Sequence, residues 1–382
     1  VARSEHKFVS AVKIDSVAEQ IRPASLRWRS AEAEEEGRLF SDGSILERHV
    51  GKGEYRGLEF LHVNARRIVN TVPEASRVPF RYTINAYRGC SHACTYCFAR
   101  PTHEYLGLGI GEDFDRRIVV KVNAVERADA ELRSPRWHGD HIAMGTNTDP
   151  YQKAEGKYHL TQGIVDVLTR HANPFSILTK STLILRDLDR LSRAAARTDV
   201  RVNLSIGTLD DEVWRLTEPG TPPPRKRLEA VRRINDAGVT CGVLVAPVLP
   251  GLSDRDEQLE EIGAACAEAG AASVSAIALH LRKGVKDHYL SWLAAARPEL
   301  SKLYARRFAR RAYQPGAEQE RITRIVKEAF AAAGGEDRGH EVLDAKSWRW
   351  TGLGEDGATD GAASVTGRSP QNKPRYEQLR LA

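Results

Sequence analysis

Short runs of β-branched residues alternate with amphipathic helical stretches from about residue 81 to residue 282, and that alternation leaves few architectures open. It predicts strands over Tyr82 to Tyr87, His141 to Thr146, Phe175 to Ser181, Arg201 to Ile206, Val239 to Val248 and Val274 to Leu281, with an extra early strand over Arg117 to Val122. Helices are predicted over Leu160 to His171, Leu185 to Arg197, Arg225 to Ala237 and Arg255 to Ala269. Strands separated by helices in this way form parallel sheets through right-handed crossovers. Six such units are too few to close an eight-stranded barrel, so the expected fold is α/β, an open partial (β/α)6 TIM-like barrel with N- and C-terminal extensions. In such folds the chemistry sits at the carboxyl ends of the strands.

The flanks read differently. Residues 1–66 are a poorly periodic N-terminal extension with the acidic run AEAEEEG near the middle, residues 67–300 are the barrel core, and residues 301–351 are a C-terminal helical segment. Residues 352–382 are polar and Gly-rich and are expected to be a mobile tail. A chain of 382 residues suits one main domain of this kind. Five cysteines are too few and too unevenly spaced for a disulfide framework, and no signal pattern opens the sequence, so a reducing cytoplasm is expected. No run approaches 18 uncharged apolar residues, which excludes a membrane-spanning helix. The net charge of +6 favours an anionic partner only mildly.

Three of the five cysteines fall within RYTINAYRGCSHACTYCFARP, residues 81–101, just after the first predicted strand. Cys90, Cys94 and Cys97 have the spacing C-x3-C-x2-C, which wraps one face of a metal centre and leaves one coordination position to another ligand. A zinc ion would recruit His92 or His103 to complete a closed Cys3His set. A 4Fe-4S cubane would leave one iron open to a small molecule. Three unligated buried thiols fit poorly, because Arg88, Gly89, Ser91, His92 and Thr95 make this a polar loop.

This motif, with an aromatic residue before its last cysteine and placed after the first strand of a six-fold βα series, resembles that of the radical S-adenosylmethionine (SAM) superfamily. The resemblance implies a partial barrel of the radical SAM type. It also implies an enzyme whose 4Fe-4S cluster binds the amino and carboxylate groups of S-adenosylmethionine at its open iron. One electron then cleaves the sulfonium to methionine and a 5'-deoxyadenosyl radical, which abstracts a hydrogen atom from substrate. The electron would come from a donor such as flavodoxin or ferredoxin, and Tyr96 would pack beside the adenine. The phrases NAYRGCSHACTYCFARPTHEY, MGTNTDPYQKAEGKYHLT and FSILTKST resemble a bacterial subgroup similar to spore photoproduct lyase, a DNA photolesion repair enzyme. That resemblance spans residues 60 to about 300.

Further candidates lie at the ends of later strands. GTNTDPYQ follows the second strand, where many superfamily members carry Gly-Gly-Glu, which this chain lacks. Gly145 permits close backbone approach, and Thr148 with Asp149 supplies acceptors suited to an ammonium group. The same Asp149 before a proline also suits a turn that caps its own backbone. Lys180 ends the third strand, where a cation needs an anion such as the cofactor carboxylate. Ser205, on the fourth strand, resembles the serine that serves with a lysine in the lyase, and equally suits a small core-facing hydroxyl. The lyase cysteine that returns a hydrogen atom to product aligns with Thr146, whose O–H bond is too strong for that role. Cys241, at the start of the fifth strand, is at the wrong end of the barrel, and Cys266 falls inside a helix.

Two arginine clusters bear on substrate. PPPRKRLEAVRR puts Arg225, Lys226 and Arg227 in the first turn of a helix, where the macrodipole disfavours cations, so an anionic visitor at the barrel mouth is expected. KLYARRFARR interleaves Tyr304 and Phe308 with Arg306, Arg307, Arg310 and Arg311, which fits an amphipathic face packed through its aromatics or a track for a nucleic-acid backbone. The sequence therefore points to a radical SAM enzyme with DNA or RNA as substrate. Radical modification of a peptide or small metabolite is one rival, and a zinc-stabilised nucleic-acid-binding module is the other.

Overall fold

The computed structural model describes residues 45–73, 76 and 78–338; the acidic run of the extension and the expected tail over 352–382 lie outside the described residues. In chain order the strands are β1 (Glu47–Val50), β2 (Glu59–Val63), β3 (Val69–Thr71), β4 (Tyr82–Ile84), β5 (Tyr87–Arg88), β6 (Arg117–Lys121), β7 (Ile142–Met144), β8 (Phe175–Thr179), β9 (Val200–Ser205), β10 (Thr240–Val248) and β11 (Val274–Ala278).

Seven strands form one sheet in the order β11-β10-β9-β8-β7-β4-β3. The six from β4 to β11 run parallel, and β3 adds antiparallel to β4 at the edge. Their spatial order follows their sequence order, as successive right-handed βα units require, and the series does not close on itself. This is the expected α/β partial barrel. The strands alternate as half-buried strands should: Phe175, Ile177 and Thr179 of β8 are buried, whereas Ser176 and Leu178 are not fully so. Burying a side chain such as Phe175 or Ile177 contributes about 1.5–3 kcal/mol.

Four sequence expectations shift in detail. The strand predicted over Tyr82 to Tyr87 is split, because β5 leaves the barrel sheet and pairs with β6 instead. The extra strand over Arg117 to Val122 exists as β6, but in a second sheet of order β1-β2-β6-β5. Residues 47–63 of the extension supply two strands of that sheet, hidden from periodicity by the charged, exposed ERHV of β1. The helix predicted from Leu185 starts as a tight 3-10 turn over Thr182–Asp187 and is α-helical over Leu188–Ala195.

The outer layer is anchored where small residues allow it. Helix Gly316–Ala332 lies against helix Asp256–Glu268, and a Cβ at Gly263 would sit 2.6 Å from the Val326 carbonyl oxygen, so only glycine permits this approach. Helix Pro224–Asp236 opens with proline at its first position, where no N–H is needed. Among the described residues no helix is long and apolar enough to cross a membrane.

Candidate functional site

The chain leaves β5 directly into the cysteine loop, two residues before Cys90. The loop turns tightly, with Ala93 N–H donating to the Cys90 carbonyl at 3.1 Å and Cys97 N–H to the Cys94 carbonyl at 3.3 Å. Cys90 and Cys94 are buried and Cys97 is half-buried, and all three are free thiols. Arg100, 1 % exposed, fixes the middle of the loop by donating to the Cys94 carbonyl through Nη2 at 2.8 Å and Nε at 3.1 Å. Asp115 holds that guanidinium from the other side at 2.9 Å.

Burial pushes the Cys90 and Cys94 thiols well above their ordinary range, Cys90 further by Asp149 and Cys94 further by Glu218. Burial likewise raises Cys97. Without a metal these groups stay protonated, so three gathered thiols need a cation to become thiolates. Each histidine that a four-ligand zinc set would recruit has one ring nitrogen engaged. His92 Nδ1 faces Asp149 at 3.3 Å, and His103 bonds through Nε2 to the Arg117 carbonyl at 2.9 Å. His103 Nδ1 is buried without a hydrogen-bond partner, so the three gathered thiols suit either a cluster held by three protein thiolates or a zinc ion completed by a histidine.

The loop after β7 clamps onto the cysteine loop. Gly145 sits at φ +92, and a Cβ there would lie 2.0 Å from the Leu178 carbonyl oxygen, so its backbone abuts β8. Thr148 Oγ1 donates to the Gly89 carbonyl at 2.6 Å, and Gln152 reaches the same carbonyl at 2.8 Å while accepting from Ser91 N–H at 3.0 Å. Asp149 accepts from Thr179 Oγ1 at 2.6 Å, Lys180 N–H at 2.7 Å and Tyr151 N–H at 2.9 Å. Burial alone would raise its carboxyl, but His92 and these donors hold it below the ordinary carboxylate range. The turn reading of Asp149 is thus realised in part. The acceptors expected to take an ammonium group are already committed to joining the two loops.

Lys180, immediately after β8, spends three donors inside the site: Nζ lies 2.7 Å from Ser205 Oγ, 3.0 Å from Glu218 Oε1 and 3.2 Å from the Ala246 carbonyl. Ser205, the last residue of β9, donates its own hydroxyl proton to the same Ala246 carbonyl at 2.9 Å. The Tyr96 hydroxyl donates to Glu218 Oε1, and the Lys180 ammonium lies 5.7 Å from the Tyr96 ring centroid. The structure therefore brings Tyr96, Lys180 and Ser205 together beside Cys94.

Tyr96 and Lys180 share a partner in Glu218, which sequence reading missed. It follows the short helix Asp211–Thr217, and its only sequence signal is an acid before Pro-Gly in the turn after the fourth strand. Burial would raise this carboxyl, yet Arg227 and Lys180 hold it well below its usual range. Asn85 was also missed; it exchanges hydrogen bonds with Thr146 Oγ1 at 3.2 and 3.3 Å.

Arg227 departs from the expectation that all three cations await an anionic visitor. It is 0 % exposed and donates to Glu218 at 2.5 Å, Thr221 Oγ1 at 2.6 Å, the Ser205 carbonyl at 2.8 Å and the Pro222 carbonyl at 2.9 Å. The anion that offsets this cation at a helix start is an internal carboxylate. Arg225 and Lys226 remain exposed, Arg225 reaching Glu261 at 3.4 Å. In the second cluster Tyr304 and Phe308 are fully buried, as an amphipathic face demands, and share one apolar cluster with Cys94 and Tyr96. Arg306, Arg307, Arg310, Arg311 and Arg321 line a hollow of about 800 Å³ on the outward side.

Comparison with known proteins agrees with this geometry. A family model described as the radical SAM superfamily matches residues 84–262. An uncharacterised protein of Mycobacterium tuberculosis is 43% identical over 313 residues, 80% of this chain and 92% of that protein. An uncharacterised protein of Methanocaldococcus jannaschii is 28% identical over 198 residues, 52% of this chain and 70% of that protein. Among solved structures, a spore photoproduct lyase mutant superposes with a TM-score of 0.53 at 19% identity, covering 76% of this chain and 86% of that one. Another, with bound AdoMet and dinucleoside spore photoproduct, gives 0.52 at 19% identity, covering 72% and 80%. These structural likenesses establish the shared fold. From the matched family model and the cysteine loop it contains, the chain belongs to the radical SAM superfamily and is a radical SAM enzyme.

Proposed function

We propose that Cys90, Cys94 and Cys97 hold a 4Fe-4S cluster, that S-adenosylmethionine binds beside it against Tyr96, Lys180 and Ser205, and that the substrate is nucleic acid in a photolyase-like role. The observation that carries the reading is the convergence of Tyr96, Lys180, Ser205 and Glu218 on the buried side of the cysteine loop. When bound, cluster and cofactor together supply a one-electron cleavage that yields methionine and a 5'-deoxyadenosyl radical.

The chain's own residues account for the rest. Burial of Cys90 and Cys94 and the grip of Arg100 on the Cys94 carbonyl hold the loop in place and limit the access of water to it. Lys180 offers an ammonium to the methionine carboxylate by exchanging one of its internal partners, and Glu218 with Arg227 keeps the charge of that pocket balanced. Gly145 lets backbone, with no side chain between, line the approach from β7. Thr148 and Asp149 support the pocket by clamping its two loops.

For the substrate, two features support nucleic acid. Arg225 and Lys226 are exposed on the first turn of a helix that follows the carboxyl end of β9. The arginine-lined hollow is anchored through Tyr304 and Phe308 to the same apolar cluster as Cys94. A known structure of this fold holds a dinucleoside photoproduct, which makes a nucleic-acid substrate compatible with the architecture. Thr146, hydrogen-bonded to Asn85, offers no thiol, so a hydrogen atom is not returned to product from this position.

The test is 5'-deoxyadenosine formation by anaerobically reconstituted protein with and without single-stranded and duplex oligonucleotides, some deuterated at the sugar and base positions. Stimulation with deuterium transfer into 5'-deoxyadenosine is expected. An unchanged rate and no transfer from any oligonucleotide would turn the substrate assignment toward a peptide or metabolite.

A further inference from the structure

The second sheet carries a ligand set unrelated to the cysteine loop. β1 and β2 pair antiparallel with Glu47 directly opposite His62, and Glu47 and His49 are two apart on one strand, so all three side chains leave the same face. Glu47 Oε2 lies 2.9 Å from His49 Nε2 and 3.6 Å from His62 Nδ1, and the ligand atoms of the three residues all fall within 4.8 Å of one another. Zinc bonds of the usual length to imidazole and carboxylate place neighbouring ligand atoms about 3.3 Å apart, so only small rotamer adjustments separate this arrangement from a coordination shell.

A second observation orients the set. His62 Nε2 lies 2.8 Å from the Tyr158 hydroxyl, and the Tyr158 ring stands edge-on to His62 at 5.2 Å. With Nε2–H donating to that hydroxyl, Nδ1 keeps its lone pair and aims it at Glu47. This is how a metal-ligating histidine is held: the remote nitrogen is fixed by an outer partner. His62 is 15 % and His49 35 % exposed, whereas Glu47 is 61 % exposed, so the set is rooted in the sheet and open on one side.

We propose that Glu47, His49 and His62 form a binding site for a divalent transition metal of the zinc type, with an open position left to water. Two imidazoles and one carboxylate suit zinc over magnesium or calcium, which prefer all-oxygen shells. The ion would fasten the edge strand β1 to β2, joining the start of the described chain to the sheet that leads through β6 and β5 into the cysteine loop.

The experiment uses full-length protein with its iron–sulfur cluster reconstituted, so that the cysteines are not free to take zinc. After incubation with equimolar zinc sulfate and desalting, elemental analysis should find one zinc per chain in addition to the iron. His49→Ala and Glu47→Gln, both on the exposed strand, should lose the zinc, and His62→Ala should do the same, with iron content and cluster absorption unchanged in each. Tyr158→Phe should weaken zinc binding about tenfold or more while preserving the one-to-one stoichiometry. The proposal is overturned if the parent takes up no zinc, or if its zinc persists in His49→Ala and Glu47→Gln and disappears only when Cys90, Cys94 and Cys97 are replaced. A loss of iron in His62→Ala alone would mark misfolding of that variant, and the zinc content of the two β1 variants then decides the matter.

Discussion

Arg227 and Glu218 meet at 2.5 Å with side chains 0 % and 4 % exposed, so the pair is sealed from solvent beside Tyr96 and Lys180. Each oxygen of the carboxylate has its own cation, Arg227 on Oε2 and Lys180 on Oε1, and neither charge has water to fall back on. Breaking such a pair from one side strands the other charge. Glu218→Gln or Arg227→Ala should therefore lower unfolding stability by about 3–5 kcal/mol, measured by urea denaturation of the cluster-free protein.

The same pair sets an acid limb. The Glu218 carboxyl is held below its ordinary value of 4.5, despite the opposing effect of burial, by Arg227 and Lys180. Its contribution to stability is complete above that ordinary value and is lost as pH falls toward the depressed one. Stability measured from pH 6 downward should fall less steeply in Glu218→Gln than in the parent. Equal slopes would show that this carboxylate is not the group being protonated.

Gly145→Ala addresses the backbone that lines the approach from β7. Its φ of +92 is strained for any L side chain, and the added Cβ would meet the Leu178 carbonyl oxygen at 2.0 Å, a backbone atom that cannot swing away. The variant should be destabilised by more than the ~1 kcal/mol that a compatible glycine-to-alanine change would add in stability, and should bind S-adenosylmethionine poorly. Wild-type melting and binding would show that β7 and β8 are looser here than the geometry requires.

Lys180→Ala removes the ammonium that is proposed to meet the methionine carboxylate. Removing one charge-assisted hydrogen bond corresponds to about 1.5–3 kcal/mol, or roughly ten- to hundredfold in Kd for S-adenosylmethionine. Iron content should stay at the parental level, because no cluster ligand is touched. Parental affinity in calorimetry would remove Lys180 from the binding site.

For nucleic acid, only the exposed cations should be reversed, since Arg227 is structural. Arg225→Glu with Lys226→Glu should weaken binding of all oligonucleotides alike, because interactions with the phosphate backbone do not read bases. The slope of log K against log salt should fall by about 0.9 for each duplex DNA phosphate that the protein no longer neutralises. Unchanged affinity and slope would place phosphate binding away from this helix, and the Arg306 to Arg311 face would be next to test.

Much of this is legible in the sequence because period-two strands and period-3.6 helices leave local marks: β7 to β11 fall within a residue or two of their predicted starts. The cysteines stand out by their spacing alone, and the nearness of Lys180 to Ser205 can be anticipated because both lie at the carboxyl ends of the neighbouring parallel strands β8 and β9. Partnership is not readable. Nothing local in PPPRKRLEAVRR separates buried Arg227 from exposed Arg225 and Lys226, because the distinction rests on Glu218, nine residues back and across a turn. Asp149 reads as a cofactor acceptor or a turn residue, and its bonds to Thr179 and Lys180 N–H, thirty residues on, exist only once β7 and β8 pair. Strands β1 and β2 of the second sheet escape for the same reason, since β1 gains its partner only through β2 and its pattern carries no buried face of its own.

The three-cysteine loop is proposed to hold a cluster which, once reduced, cleaves S-adenosylmethionine. The most direct test is to reduce anaerobically reconstituted protein with dithionite in the presence of S-adenosylmethionine and quantify 5'-deoxyadenosine and methionine, alongside iron and zinc content. The account predicts four irons per chain, a paramagnetic reduced state whose signal changes with S-adenosylmethionine, and the two products in equal amounts. Products should be abolished by Ala at Cys90, Cys94 or Cys97 and nearly unaffected by Cys266→Ala. Zinc in place of iron at these cysteines after careful anaerobic preparation, with no 5'-deoxyadenosine formed, would contradict it.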